Sequence, residues 1–417
     1  EAEIQKFKTG EDPDNYPNKR HYDDLVKSGS GLQTEHYLSF SGGKANNAYL
    51  FSVGYLDQSS FVKESGHKRY NILFNSNSRL SDKFRLNTSF QGRVGKTTEP
   101  TTIRRPDGVN GLLGDALKIP NTIAGKKSDG YYGQQTGFTI EGWMDSESFI
   151  KDATNRMNVS AGFEWDIVKS LRLTGLAGYN YDNIKYKRFW PLLVVDQTYT
   201  EGPSELTETR TENSLLTLQA LLNYDKTIKK HEFHALGGFS QESNTNSWLQ
   251  SSRDNFPSNT LYEMSAGAPS NQQNGGSGYE WALQSFFGRI NYIYDGKYLF
   301  EANTRYDGSS RFPARNRWGV FPSVSAGWII SQESFFHFNP VNHLKIRGSW
   351  GKLGNQNIGN YPFQQILSLG LDAPFGIAEK MYSGAAATRV PSTDITWEST
   401  RVIDVGLDIG LLNNKIN

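Results

Sequence analysis

Period-two alternation dictates the fold of this chain. Apolar and polar residues alternate through Phe286 to Tyr294 and again through Tyr298 to Tyr306, and the two runs meet at Asp295-Gly296, a pair suited to a tight hairpin turn. The second run leads into RYDGSSRFPARNRWGVFPSVSAGW, Arg305 to Trp328, which breaks at Asp307-Gly308-Ser309-Ser310 and resumes alternating at Trp318. Val320, Val324, Ala326, Trp328 and Ile330 then fall on one side of the strand, with Phe321, Ser323, Ser325 and Gly327 on the other. An oily face of this kind meets either a protein core or a bilayer.

The same pattern recurs along the chain. Up to about Leu32 the text is polar and turn-rich (EDPDNYPN, Glu11 to Asn18), with a short helix expected through Tyr22, Leu25 and Val26. His36, Leu38 and Phe40 then alternate with serines and Tyr37, and Gly42-Gly43-Lys44 is expected to turn the chain into Tyr49, Phe51, Val53 and Tyr55. Tyr70, Ile72 and Phe74 pair through Ser81-Asp82-Lys83 with Phe84, Leu86, Thr88 and Phe90. After a loop expected from about Gly95 to Lys151 come Met157 to Trp165 and Leu171 to Tyr181, joined near Val168-Lys169-Ser170. Leu216 to Tyr224 and Phe233 to Phe239 follow, with loops expected to about Asn213 before them and to about Gly278 after them. SQESFFHFNPVNH reads as a short connector, and Leu344, Ile346 and Trp350 alternate after it. A loop from about Gly354 to Ser399 precedes Ile403, Val405, Leu407 and Ile409, and Asn413-Asn414-Lys415 turns toward a further strand. About thirteen strands result.

Composition narrows the choice. Aromatics reach 13% while the mean hydropathy is only -0.60, a combination that fits aromatic-faced strands with many turns, and Gly numbers 41. Apolar runs all fall short of the roughly 20 residues of a membrane helix, which leaves barrel strands open because alternation dilutes their hydropathy. Forty-four basic residues against 43 acidic ones give a net charge of +1 without a basic stripe, so nucleic acid is not an expected partner. Cysteine is absent, which removes thiolate metal sites and disulfides. Glu1 begins without the features of a signal peptide, so any export signal is expected either upstream of this chain or not at all.

A soluble sandwich has turn signals every 8 to 12 residues or so, without systematic long-short alternation of its connections. Here short turns lie on one side and long loops on the other, the habit of outer-membrane barrels. With the short turns periplasmic, Trp165, Tyr224, Tyr292, Tyr294, Tyr298 and Trp328 fall at one end of the outward face and Tyr55, Tyr179, Tyr181 and Tyr306 at the other. Two aromatic girdles on one register turn the oily face toward outer-membrane lipid. The expected fold is an all-β antiparallel transmembrane barrel, partial in this chain, with residues 1–32 as an extracellular loop or cap and residues 33–417 as barrel wall.

The Arg305 to Trp328 stretch, LSFSGG at Leu38 to Gly43, EDPDNYPN, GNQNIGNYPF at Gly354 to Phe363 and ITWESTRVIDVGLDIGLLNNKIN at the end together resemble the SusC/RagA family of TonB-dependent outer-membrane transporters of Bacteroidetes. The resemblance spans nearly the whole chain, with the motifs in family order. It implies a closed barrel of about 22 strands around an N-terminal plug domain. It also implies a SusD-like surface lipoprotein that lids the barrel and helps capture oligosaccharide or peptide, with uptake powered by the TonB complex acting on the plug. Neither plug nor TonB box lies in this chain, so on this reading it is an internal portion of the barrel and the energy-coupling residues lie elsewhere.

Catalytic and metal patterns are weak. GRVGKTT, Gly92 to Thr98, lacks the first glycine of a phosphate loop, since Phe90 stands in its place, and reads as a strand running into a loop. His231 and His234 in HEFH point to opposite faces of a strand, which argues against a shared metal. Asn87-Thr88-Ser89 and Asn158-Val159-Ser160 match a glycosylation pattern that asparagines facing the lumen of a bacterial barrel would not use. No GxSxG elbow occurs, no cofactor is called for, and no enzyme is expected. A hydrolase barrel and a structural or adhesive barrel stand as the rival functions. The substrate-facing candidates are the loop aromatics Tyr131, Tyr132, Trp143, Trp190, Trp248 and Tyr361, whose rings suit stacking on sugars or packing a peptide, and the lumen-facing Arg85, Arg93, Glu301, Arg305 and Arg347.

Overall fold

The computed structural model describes residues 1–26, 31–103, 107–338 and 340–411. Thirteen strands form one antiparallel sheet in which every strand pairs with its neighbours in sequence. They are β1 (Gln33–Lys44), β2 (Asn47–Ser59), β3 (Gly66–Arg79), β4 (Phe84–Glu99), β5 (Phe149–Val168), β6 (Leu171–Trp190) and β7 (Glu205–Ile228). The sheet continues with β8 (His231–Asp254), β9 (Gln273–Tyr294), β10 (Tyr298–Ser309), β11 (Trp318–Ile329), β12 (Val341–Asn355) and β13 (Glu398–Leu411). Among the described residues this meander curls into a wall with two open edges, β1 and β13, and is the expected partial barrel. The Asn413-Asn414-Lys415 turn lies outside the described residues.

The rims differ as the alternation requires. Residues 45–46, 80–83, 169–170, 229–230 and 295–297 make tight turns on one rim, joined there by the longer connector 330–340. Residues 60–65, 100–148, 191–204, 255–272, 310–317 and 356–397 form the loops of the other. The turn at Asp295 and Gly296 carries φ of 53° and 67°, the two positive values its tight geometry demands and the reason glycine stands second. After β1 the reversal sits at residues 45–46, three residues beyond the expected Gly42. The glycines belong to the strand, where the ring of the cross-strand Tyr49 lies so close over Gly42 that a Cβ would meet its hydroxyl at 2.6 Å.

Register places the apolar residues on one face of the whole sheet. Phe40, Phe51 and Phe74 stand opposite one another from β1 to β3, Phe239, Phe286 and Tyr306 from β8 to β10, and Tyr298, Trp328, Ile346 and Leu407 from β10 to β13. These side chains are not covered by protein: Ile290, on a strand paired along both edges, is 55% exposed. The opposite face carries serines, asparagines and charges. Tyr298 stacks on Trp328 at 6.2 Å near the short turns, and the tilted rings of Tyr55 and Tyr70 meet at 4.9 Å toward the loop rim, so both girdles are present.

At the short-turn rim the connector 330–340 is fastened to the girdle. Glu333 accepts bonds from the Tyr298 hydroxyl (2.6 Å), Trp328 Nε1 (3.0 Å) and Lys297 Nζ (3.1 Å). These donors, the tyrosine foremost, hold its carboxyl down at about 2 against the usual 4.5. Because the folded value lies below the unfolded one, the contribution is complete above roughly pH 4.5 and is lost as pH falls through 2. Hydrogen exchange at the Glu333 and Phe336 amides, which bond Ile330 and Glu333 carbonyls, is therefore expected to accelerate relative to intrinsic rates across that window. In Glu333→Gln it should already be fast at neutral pH, and a pH-independent connector in the wild type would contradict the assignment.

Candidate functional site: the lumenal wall and its cap

Strand alternation puts Arg85, Arg93, Glu301, Arg305 and Arg347 on the polar face, as expected. Most of them are already engaged. Arg85 bonds Asp166 at 2.6 Å and lies 3.5 Å from Glu164, while Arg172 bonds Asp166 at 2.6 Å from the next strand, a ladder across β4, β5 and β6. Arg347 spans Asp404 (3.2 Å) and Asp408 (3.3 Å), with its guanidinium flat over Gly406, where a Cβ would stand 2.8 Å from Cζ. Arg305 turns to Asp307 and lies 4.8 Å from the Phe287 ring centre, and Glu301 accepts from Asn303 at 2.7 Å. Beside Glu301 and Arg347 a hollow of about 380 Å³ opens on the wall, also lined by His234, Asn291 and Lys345. Arg93 differs from the others, since it forms no ion pair or hydrogen bond among the described residues.

The loop rim carries a folded cap. The first residues, expected as polar loop with one short helix, form α1 (Ala2–Thr9), ended by Gly10 at φ 63°, and α2 (His21–Leu25), and then join the 100–148 loop. That loop contains α3 (Val109–Ala116) and α4 (Ile140–Asp145), the latter started by Thr139, whose hydroxyl accepts from the Gly142 amide at 3.2 Å. Leu25, Leu112, Ile140, Trp143, Leu193 and Val195 share one apolar core. Buried polar groups cross it: His21 Nδ1 lies 2.7 Å from Glu141 Oε1, and Trp143 Nε1 donates to Glu201 at 2.8 Å. Tyr132 donates to Asp145 at 3.0 Å, and burial together with that bond raises its hydroxyl pKa.

A second clasp lies farther along the rim. Phe312 is fully buried, with Trp397 at 5.0 Å, and Trp397 also packs on Phe321 at 5.2 Å and donates to the Arg317 carbonyl. Asn316 bonds the carbonyls of Asp394 and Ile395. RFPARN and ITWES therefore tie the 310–317 loop to the end of the 356–397 loop. The sequence patterns marked these residues as motifs but held no signal that they touch.

The loop aromatics divide. Tyr132, Trp143 and Trp190 are buried in or against the cap core and present no open ring face. Trp190 ends strand β6, with Arg188 over its ring at 4.2 Å, and Trp248 lies within strand β8 opposite Ser277, so neither sits in a loop as expected. The reason is that β6 to β9 extend well past the length a bilayer needs, with β7 and β8 at 24 residues each. Tyr131 and Tyr361 are in loops and half-buried, Tyr361 edge-on to Phe363. Trp248, 40% exposed, offers the most open ring of the six. His231 bonds Tyr292 on the apolar face and His234 bonds Asp225 on the polar face, so the pair does not converge.

A sheet with an uncovered apolar face between two aromatic girdles, a polar face of paired charges and one capped rim is the wall of an outer-membrane β-barrel. Residues 103–417 match the family model described as TonB dependent receptor-like, beta-barrel, and the chain belongs to that family and is an outer-membrane protein. TonB-dependent receptor P3 of Formosa agariphila is 27% identical over 407 residues, covering 94% of this chain and 39% of the relative. SusC of Bacteroides thetaiotaomicron is 27% identical over 429 residues, 93% of this chain and 40% of the relative. The chain thus spans about two fifths of the length of these curated relatives. The fold superposes on the RagAB peptide transporter with a TM-score of 0.79 at 22% identity, over 97% of this chain and 45% of that one.

Proposed function

We propose that this chain forms barrel wall and mouth of a SusC-type importer that takes up oligosaccharide or peptide across the outer membrane by TonB-dependent transport. On this reading residues 1–32 belong to the extracellular cap, residues 33–417 are barrel, and a plug domain outside this chain carries the coupling to TonB. A SusD-like lipoprotein lids the long-loop rim, and no catalytic group is called for. The observation that carries the reading is the asymmetry of the wall, with tight turns at one rim, a folded cap at the other, and a polar lumen face between them. Relatives named as TonB-dependent receptors, SusC among them, support the energy coupling, and the shared fold of the RagAB peptide transporter supports peptide as one kind of cargo. Trp248, Tyr131 and Tyr361 remain the rings placed to contact cargo, and Arg93 the free charge.

Deleting the full-length gene and testing growth on separate panels of oligosaccharides and peptides examines this directly. Growth on one panel should fail and be restored by the gene, uptake should stop when the proton gradient is collapsed, and the lipoprotein should co-purify. Unchanged uptake on every member of both panels, or uptake indifferent to the gradient, would leave a structural barrel as the better account.

A further inference from the structure

We propose that Arg69, Arg93 and Arg156 form an anion-recognition station on the lumen wall that takes a carboxylate of the cargo. This rests on the uptake reading above and adds to it a class of substrate. Arg93 on β4 stands directly opposite Arg156 on β5, and like charges directly opposed destabilise a sheet. One strand farther on the wall does the reverse, with Arg156 opposite Asp182 and ion-paired to it at 2.9 Å. Arg69 bonds Glu35 at 3.1 Å, yet its Nε is shielded from solvent and has no hydrogen-bond partner. Three guanidiniums therefore share two carboxylates, and Arg93 is the one left without. The charge ladders at Arg85 and Arg347 show no such surplus, since each of those arginines meets two carboxylates.

The place is built to receive something. A hollow of about 330 Å³ is bounded by these arginines with the amides of Asn71 and Asn158. Guanidinium forks and amide donors match the two oxygens of a carboxylate. Arg69 also adjoins Tyr70 of the girdle toward the loop rim, so the hollow faces the capped mouth, where cargo enters, and not the short turns. Uronate residues of an oligosaccharide and acidic residues of a peptide offer the same group.

Binding to the purified full-length receptor separates these sources. Tetragalacturonate and tetraglutamate serve as probes, with maltotetraose and tetraalanine as their neutral counterparts. The wild type should bind one anionic probe roughly tenfold or more tightly than its counterpart, with a preference that shrinks as salt rises. Which probe wins identifies the source. Arg93→Gln should lose the preference and leave neutral binding unchanged, while Arg93→Lys should keep part of it. Because the change relieves repulsion, the heat-modifiable mobility of the folded Arg93→Gln barrel should persist to the same or a higher temperature. A lower temperature would mean that a carboxylate of the protein itself holds Arg93, which overturns the proposal. Equal binding of charged and neutral probes, or a preference that survives in Arg93→Gln, also overturns it. Such a failure alongside proton-gradient-dependent uptake of a neutral nutrient removes the station alone, whereas the gene-deletion test decides the uptake reading separately.

Discussion

Trp143→Ala is expected to dissolve the cap while leaving the barrel wall standing. The indole is fully buried in the cap core, and its Nε1 bond to Glu201 links α4 to the 191–204 loop. Truncating a tryptophan in such a site costs about 3–5 kcal/mol, more than a unit of a few short helices with one shared core holds in reserve. Hydrogen exchange on the full-length protein should show amides of 109–145 and of α2 losing protection together, because Leu25 packs in the same core. Amides of β7 and β8, held by an unbroken 24-residue ladder, should not change. Trp248→Ala, in which the lost ring is already 40% exposed, should leave both regions alone. Protection retained in the cap of Trp143→Ala would show that Trp143 is not its keystone.

The second large effect is expected on the outer face. Ala161 sits midway along the apolar face of β5, between Thr88 and Ala177 across the strands, and is exposed. An arginine there enters the bilayer near its midplane at a cost of about 2–4 kcal/mol. Arginine at the adjacent Ser160 faces the polar lumen and should cost little. Refolding of the full-length barrel into vesicles, followed by urea titration, should show Ala161→Arg shifted to lower urea and Ser160→Arg nearly unmoved. Equal shifts would mean that the two faces see the same environment.

The bilayer portion of this fold is legible in residues because lipid outside and polar lumen inside impose a strict alternation, as in Met157 to Trp165 and Leu216 to Tyr224. Thirteen strands and both girdles follow from that signal. It fades where β7, β8 and β9 rise above the membrane. There Trp248 and Leu249 stand side by side among Ser247, Gln250 and Ser251, facing Thr211, Arg210 and Thr209, so the alternation is lost and the sequence resembles loop, yet each strand stays paired on both sides. Trp248 is misplaced for that reason, and Trp190 because β6 likewise runs past the bilayer. The cap has no such periodic signature. His21 meets Glu141 across 120 positions, and no local period announces such a contact. Tyr132, Trp143 and Trp190, expected to meet cargo, belong to the core of a small folded unit, since a loop as long as 100–148 must bury its own apolar residues and Trp190 at the end of β6 packs into the same core. Of the lumen arginines, alternation supplies the face, but only register shows which are paired and which is not.

Nitroxide accessibility scanning along β4 and β5 of the full-length protein in vesicles tests the central claim, that this sheet has one lipid face and one aqueous face. Labels at positions 86, 90, 159 and 161 should be open to oxygen and closed to a water-soluble nickel reagent, and labels at 87, 89, 158 and 160 should show the opposite. A reversed alternation, or none, would contradict the barrel register on which the cap, the paired charges and the Arg93 station all depend.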